Sequence, residues 1–341
     1  MDTVLVTGAT GFVGRHAMRS LRAAFPTARL VEGVQRAPQP GSGDAVLLDL
    51  LDPGSLDAAV ATIRPDAILH LAAQAAVPAS FADPALTWRV NLLGTLGLAE
   101  ATLRHVPAAL FVHASSAEVY GLSFRGGQPL DETATLAPAN PYAASKAAAD
   151  LALGEMALRG LHAIRLRPFN QIGPGQSAAF VVAAFARQVA LIEAGLQAPV
   201  IGTGALDRWR DLLDVRDAGA GYAAALRHGR AMPPGTVLNL ASGQSRRVGD
   251  ILADLIARAG LTVRIEQDPG RLRPNDVERA AGDARRARAA LGWAPAMPWD
   301  RTMADILDDW RQRVRTAAPP TEARQAMPPI TPWPDVVRPI K

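Results

Sequence analysis

The sequence predicts an α/β protein, a doubly wound parallel sheet followed by a smaller C-terminal α/β lobe. Three observations predict it. Short apolar runs alternate with helix-length segments through the first half of the chain. A glycine-rich turn joins the first run to the first helical segment. The alternation breaks after Pro168, where loops rich in Gly and Pro separate isolated helices.

The strand candidates are residues 3–7, 29–34, 45–48, 67–71, 109–114 and 162–167. They are apolar with little interruption, the pattern of strands buried on both faces. Helix candidates 12–25, 55–63, 85–105 and 142–159 lie between them. Helices at 178–194 and 248–259 belong to the later part. These boundaries divide the chain into a dinucleotide-binding domain (1–168), a second lobe (169–316) and a Pro-rich tail (317–341). Segments near 212–240 are expected to return to the first domain.

The 341 residues suffice for a large core. A formal charge of +4, with scattered arginines, does not suggest a nucleic-acid surface but suits an anionic small molecule. The absence of cysteine excludes disulfides, thiolate metal sites and cysteine nucleophiles. The six histidines show no metal-ligand spacing. With a strand-like run from Thr3 and no membrane-length apolar run, the expectation is a cytoplasmic protein with no membrane partner.

The turn Thr7-Gly8-Ala9-Thr10-Gly11-Phe12-Val13-Gly14 follows the first strand and opens the first helix. Glycines let a backbone approach a pyrophosphate, and a helix N-terminus offers it unpaired N–H groups. This context identifies the sheet as the dinucleotide-binding Rossmann form. The end of the second strand discriminates between nicotinamide cofactors: an acid binds a ribose 2′-hydroxyl, whereas arginine accommodates a 2′-phosphate. The chain reads Glu32-Gly33-Val34-Gln35-Arg36, which favours NADP(H) over NAD(H) if Arg36 is more than a solvated loop residue. Asp49, after the third strand, is placed either against the adenine or in a simple turn.

Of the 36 basic residues that are Lys or Arg, only Lys146 and Lys341 are lysines. Lys146 stands four residues after Tyr142, so the two share a helix face. An ammonium beside a phenol is expected to lower the phenol's pKa and make it an acid–base group near neutral pH. Ser116 stands just after the fifth strand, at the sheet's carboxyl edge, where it can hydrogen-bond a substrate carbonyl.

The segments TGATGFVG (7–14), HLAAQAAV (70–77), RVNLLGT (89–95), SSAEVYG (115–121), NPYAASK (140–146) and RPFNQIGPGQ (167–176) resemble the extended short-chain dehydrogenase/reductase family. RDLLDVRD (210–217) and LRPNDVER (272–279) carry the resemblance into the second lobe, so that it spans roughly residues 3 to 312. The block 169–193 is similar to that of the GDP-4-keto-6-deoxy-D-mannose reductases, and GDP-mannose 4,6-dehydratases share much of the pattern.

The resemblance implies an NADPH-dependent reduction of the C4 ketone of a GDP-sugar, with a dehydratase or 4-epimerase as the alternative. It implies a catalytic set of Ser116, Tyr142 and Lys146. Glu118 matches the carboxylate that dehydratases use to remove a proton beside a transient ketone, but reductases can carry it too. Cofactor contacts are implied at Leu50, at Leu71, Ala72, Ala73 and Gln74, and at Tyr142 and Lys146, whose amine is expected to reach the ribose hydroxyls and fix the nicotinamide. Asn170, Arg210 and Arg273 match positions holding the nucleotide diphosphate-sugar, and Asp276 one that reaches a ribose. The resemblance also implies a homodimer, paired through the small-residue helices at 85–105 and 142–159.

Overall fold

The computed structural model describes residues 1–36, 44–271 and 277–317. Its first half runs β1 (Thr3–Thr7), α1 (Phe12–Ala24), β2 (Arg29–Val34), β3 (Ala45–Leu47), α2 (Pro53–Ile63), β4 (Ala67–His70), α3 (Val77–Ala82), α4 (Pro84–Trp88), α5 (Thr95–His105), β5 (Leu110–Ala114), α6 (Pro141–Leu158) and β6 (His162–Pro168). The second half adds β7 (Asn170–Ile172), α7 (Val181–Glu193), β8 (Val200–Thr203), β9 (Trp209–Asp214), α8 (Val215–His228), β10 (Thr236–Leu240), β11 (Ser245–Arg247), α9 (Val248–Ala259), β12 (Arg264–Gln267), β13 (Arg279–Ala280), α10 (Arg285–Leu291) and α11 (Trp299–Ala317).

Seven strands form one sheet in the order β10-β6-β5-β4-β1-β2-β3, every neighbour parallel. The order reverses between β1 and β4, which makes the crevice there the place for a ligand. Alternate residues of β1 serve opposite cores. Val4 and Val6 pack in the core that includes Met18, Leu21 and Tyr222, whereas Leu5 packs in the one that includes Leu98, Leu153 and Met156. A strand filled on both faces has no place for polar alternation, hence the continuous apolar runs.

β10 pairs with β6 at the sheet edge, so the chain returns to the first layer after β9. The remaining strands build the second lobe. β9 pairs with β7 and β13 in parallel and with β11 antiparallel, while β8 pairs with β12. A separate core from α7, α9 and α11, including Phe185, Leu252 and Trp310, holds this lobe together.

The segment expected as one helix over 85–105 is interrupted. A π-helical turn, Arg89–Gly94, lies between α4 and α5. A Cβ at Gly94 would stand 2.7 Å from Leu50 Cβ and 2.8 Å from its carbonyl oxygen, and Asn91 of this turn is fully buried. Such single-turn insertions often mark functional positions. α6 begins as its sequence dictates, with Asn140 capping through Oδ1 to Ala143 N (2.8 Å) and proline in the first turn.

Candidate active site

The glycine turn lies at the switch point. Gly8 has φ +71°, and a Cβ there would sit 2.8 Å from the Ala72 nitrogen. The turn therefore rests on the Leu71–Ala72 backbone. A Cβ at Gly14 would fall 2.0 Å from the Gly8 carbonyl oxygen, so only glycine lets α1 start this close to β1. Gly11, the N-cap of α1, makes no side-chain capping bond. The first N–H groups of the helix are therefore left to an anion, and the turn fits a dinucleotide pyrophosphate. Thr10 and Gly11 are exposed in the turn, while Phe12 and Val13 are half-buried behind it.

The other cofactor candidates fall around this turn in different ways. Glu32 lies within β2, opposite Val6, and pairs with Arg22 at 3.7 Å. Gln35 and Arg36 stand exposed just past the strand. Asp49 spends one carboxylate oxygen on Leu51 N (3.0 Å), the bond of a turn residue. Leu50 packs against the π-helical turn at Gly94. Leu71, Ala72, Ala73 and Gln74 form the half-buried loop after β4. Gln74 is clamped by Asn91: its N–H donates to Asn91 Oδ1 (2.8 Å), and Asn91 Nδ2 donates to its carbonyl (3.0 Å).

Ser116, extended at φ −163°, follows β5 and accepts Glu118 N at 3.1 Å, which caps the 3₁₀ helix over Ala117–Gly126. Across from it, Tyr142 lies in the first turn of α6. Burial pushes the Tyr142 phenol up to about 12; hydrogen bonding from Ser116 opposes this and the nearby Glu118 carboxylate reinforces it. Glu118 Oε2 accepts a long bond from Asn140 Nδ2, 3.4 Å. The structure thus gathers Ser116, Glu118 and Tyr142 at the carboxyl edge of the sheet.

Lys146 is 2% exposed, and burial lowers its ammonium from 10.5 to about 7, with Asp150 one turn on acting the other way. Its Nζ lies 3.3 Å from His113 Nε2. The expectation that Lys146 lowers the phenol's pKa is therefore not met in this chain by itself. Desolvation dominates at both groups, and the amine is engaged by the histidine beneath it.

Below the edge runs a polar row that the sequence did not single out. Thr7, His70, His113 and Arg165 are register neighbours on β1, β4, β5 and β6. His70 Nδ1 lies 2.7 Å from Thr7 Oγ1 and its Nε2 2.9 Å from Thr95 Oγ1. Thr95 donates to the Asn91 carbonyl, and Asn91 Nδ2 also donates to Ser145 Oγ. Asp150 takes Arg167 at 2.9 Å and Arg165 at 3.1 Å, both from β6. The signal that could have found the histidines was their place at the carboxyl ends of the apolar runs Ala-Ile-Leu-His and Leu-Phe-Val-His, since spacing for metal ligation was the wrong test.

The substrate candidates are spread over the second lobe. Asn170 is exposed at the start of β7, in register with Leu212 of β9. Arg210, on β9, donates to the carbonyls of Trp209 (2.8 Å) and Val277 (3.1 Å), tying β9 to the segment before β13. Arg273 and Asp276 lie outside the described residues.

A phosphate-cradling turn at the switch point, facing a serine, a tyrosine and a lysine on one edge, is the architecture of a short-chain dehydrogenase/reductase. The chain belongs to the family described as GDP-mannose 4,6 dehydratase, whose pattern it matches over residues 5–306. It is 39% identical to the GDP-6-deoxy-D-mannose reductase of Pseudomonas aeruginosa over 92% of this chain and 98% of that protein. It is 31% identical to the dTDP-glucose 4,6-dehydratase of Streptomyces antibioticus over 96% and 98% of the two chains. Among solved structures, RMD from Pseudomonas aeruginosa complexed with NADPH superposes with a TM-score of 0.80 at 36% identity, covering 92% of this chain and all of that one. The Thermus thermophilus UDP-glucose 4-epimerase complex with NAD gives 0.79 at 30%, over 91% and 99%.

Proposed function

We propose that the protein reduces the C4 ketone of GDP-4-keto-6-deoxy-D-mannose with NADPH, giving a GDP-6-deoxyhexose such as GDP-D-rhamnose. The observation that carries this reading is the end-to-end similarity to a GDP-6-deoxy-D-mannose reductase, higher than that to the dehydratase and epimerase relatives. Arg36, exposed past β2, suits a 2′-phosphate, which favours NADP(H), with NAD(H) the second choice.

Bound NADPH supplies the hydride. The chain's own residues do the rest. The α1 N-terminus holds the pyrophosphate. Ser116 donates a hydrogen bond to the carbonyl oxygen, and Tyr142, neutral across the physiological range, delivers its proton to that oxygen. Lys146, on the same helix face, supplies the positive charge toward which the phenolate develops. Asn170 and Arg210, with Arg273 and Asp276, are assigned to the GDP-sugar. The use of NADPH supports a cytoplasmic location for the reaction.

The test is direct. Purified protein mixed with NADPH and freshly made keto-sugar should consume reduced-nicotinamide absorbance, and Tyr142→Phe should abolish it. No absorbance change with the wild type would overturn the reading.

Glu118 supports a second reading, a 4,6-dehydratase or 4-epimerase. Its carboxylate lies near enough to the Tyr142 phenol to raise it, and a base there could take a proton beside a ketone. Such enzymes keep their cofactor through each turnover. Stoichiometric NAD(P)+ released from denatured protein would favour this alternative.

We also infer a homodimer through α5 and α6. Leu86 and Leu93 stand seven residues apart and exposed, the first on α4 and the second on the π-helical turn that leads into α5, and Leu151 and Leu158 do the same on α6. Seven-residue spacing within one α-helix puts Leu151 and Leu158 on one face, and these side chains, with the exposed Leu86 and Leu93 on the neighbouring elements, gain by being covered.

A further inference from the structure

We propose that His113 is a positioning residue for Lys146: its Nε2 holds the lysine amine beneath the carboxyl edge of the sheet and sets how readily that amine is charged. The geometry carries this. Nζ and Nε2 lie 3.3 Å apart, His113 has no exposed surface, and Lys146 has almost none.

The comparison with His70 sharpens the point. The two imidazoles are register neighbours with ring centroids 5.3 Å apart. Thr95 spends its proton on the Asn91 carbonyl, so it accepts from His70 Nε2–H, and His70 Nδ1 accepts from Thr7. Both nitrogens of His70 are thereby satisfied, as expected of a structural histidine. His113 differs. Its Nδ1 is buried and meets no partner among the described residues, so the only polar contact that explains the ring's place is the one to Lys146.

The remaining groups facing the amine make its charge sensitive to that contact. Tyr142 and Asp150 lie on the same helix, His70 on β4, Arg165 and Arg167 on β6, and Ser116 and Glu118 after β5. His70 and His113 are both held neutral by burial, and Asp150 is engaged by its two arginines. Asp150 favours the ammonium but is shared between its two arginines, which leaves the imidazole at 3.3 Å as the direct acceptor for Nζ.

The inference rests on the oxidoreductase reading only for its effect on turnover, and the decisive measurement does not use substrate. Lys146 and Lys341 are the two lysines of the chain, so protein labelled with 13C at the lysine ε-carbon shows two resonances, and Lys341→Arg assigns them. In wild type the Lys146 resonance should titrate near 7, far below the ordinary lysine value. His113→Leu removes the acceptor and should lower the midpoint by about one further unit. His113→Gln carries an amide oxygen where Nε2 stood and should restore the midpoint. His113→Asn is too short and should behave like the leucine variant. If the leucine protein does not fold, the Asn and Gln variants decide by themselves. A midpoint indifferent to His113→Leu, or equal in the Asn and Gln proteins, overturns the proposal. Turnover should follow the same order at pH 7, with KM for NADPH little changed. Should the wild type reduce no keto-sugar while the titration behaves as described, the proposed reaction fails and the Lys146–His113 relation stands.

Discussion

Asn91 and Gln74 bond each other twice, Gln74 N to Asn91 Oδ1 at 2.8 Å and Asn91 Nδ2 to the Gln74 carbonyl at 3.0 Å. The same Nδ2 reaches Ser145 Oγ, next to Lys146. One buried amide therefore ties the loop beside the glycine turn to α6. Asn91→Leu leaves buried backbone groups unpaired and should destabilise the fold by about 3 kcal/mol. Urea unfolding reads this directly, and an unchanged midpoint would remove the tie.

Gly14 has no room for a side chain, because its Cβ would meet the Gly8 carbonyl at 2.0 Å. Gly14→Ala must push α1 away from β1 and misalign the N–H groups proposed to hold a pyrophosphate. The expected result is a loss of about 2 kcal/mol of stability from overpacking, together with a large drop in NADPH affinity by calorimetry. Full affinity in the alanine variant would assign the phosphates elsewhere.

Lys146 makes stability depend on pH with a definite sign. Its folded value of about 7 lies below the ordinary 10.5, so between those limits the unfolded chain binds the extra proton. Stability then rises with pH across this window, with a slope of at most about 1.4 kcal/mol per pH unit. Below pH 7 both states are protonated and the slope ends. Tyr142 acts oppositely above pH 10, since its phenol stays protonated to about 12 when folded. Melting temperatures from pH 7 to 10 should rise in wild type, and Lys146→Met should flatten that rise.

Lys146→Arg keeps a cation but not its shape. The closed site between His113 and Asp150 fits a slender amine, and the planar guanidinium is larger and differently directed. Keto-sugar reduction should fall on the order of a hundredfold in kcat/KM, the scale of a small misplacement of a reacting group. Normal turnover would mean that the lysine is retained for no chemical reason.

The proposed dimer predicts its own disruption. Leu93 and Leu151 are 58% and 60% exposed on neighbouring elements. Leu93→Arg with Leu151→Arg places like charges on the stripe, and light scattering should then give a monomer mass where wild type gives a dimer.

Much of the molecule was legible before its structure. Period and punctuation marked the first six strands within a residue or two, because a strand buried on both faces admits little but apolar side chains. The break inside 85–105 was not legible, since Arg89–Gly94 holds no proline to force one, and the close approach of Gly94 to Leu50 appears only in the packing. Helix α8 and strand β10 were foreseen only as a return to the first layer, because edge pairing with β6 is a long-range event.

The sequence by itself determined the class of chemistry. A glycine turn after the first strand, a serine after the fifth and a Tyr–Lys pair at helical spacing are local patterns, and each acts through backbone geometry within a few residues. Tertiary structure alone decided the electrostatics. His70 and His113 come from strands far along the chain from Lys146, and only sheet register and helix packing bring them to it, whereas Asp150 stands one turn on along the same helix. Burial in that company pushes the amine down and the phenol up. Desolvation depends on everything that surrounds a group, and no spacing along the chain encodes it.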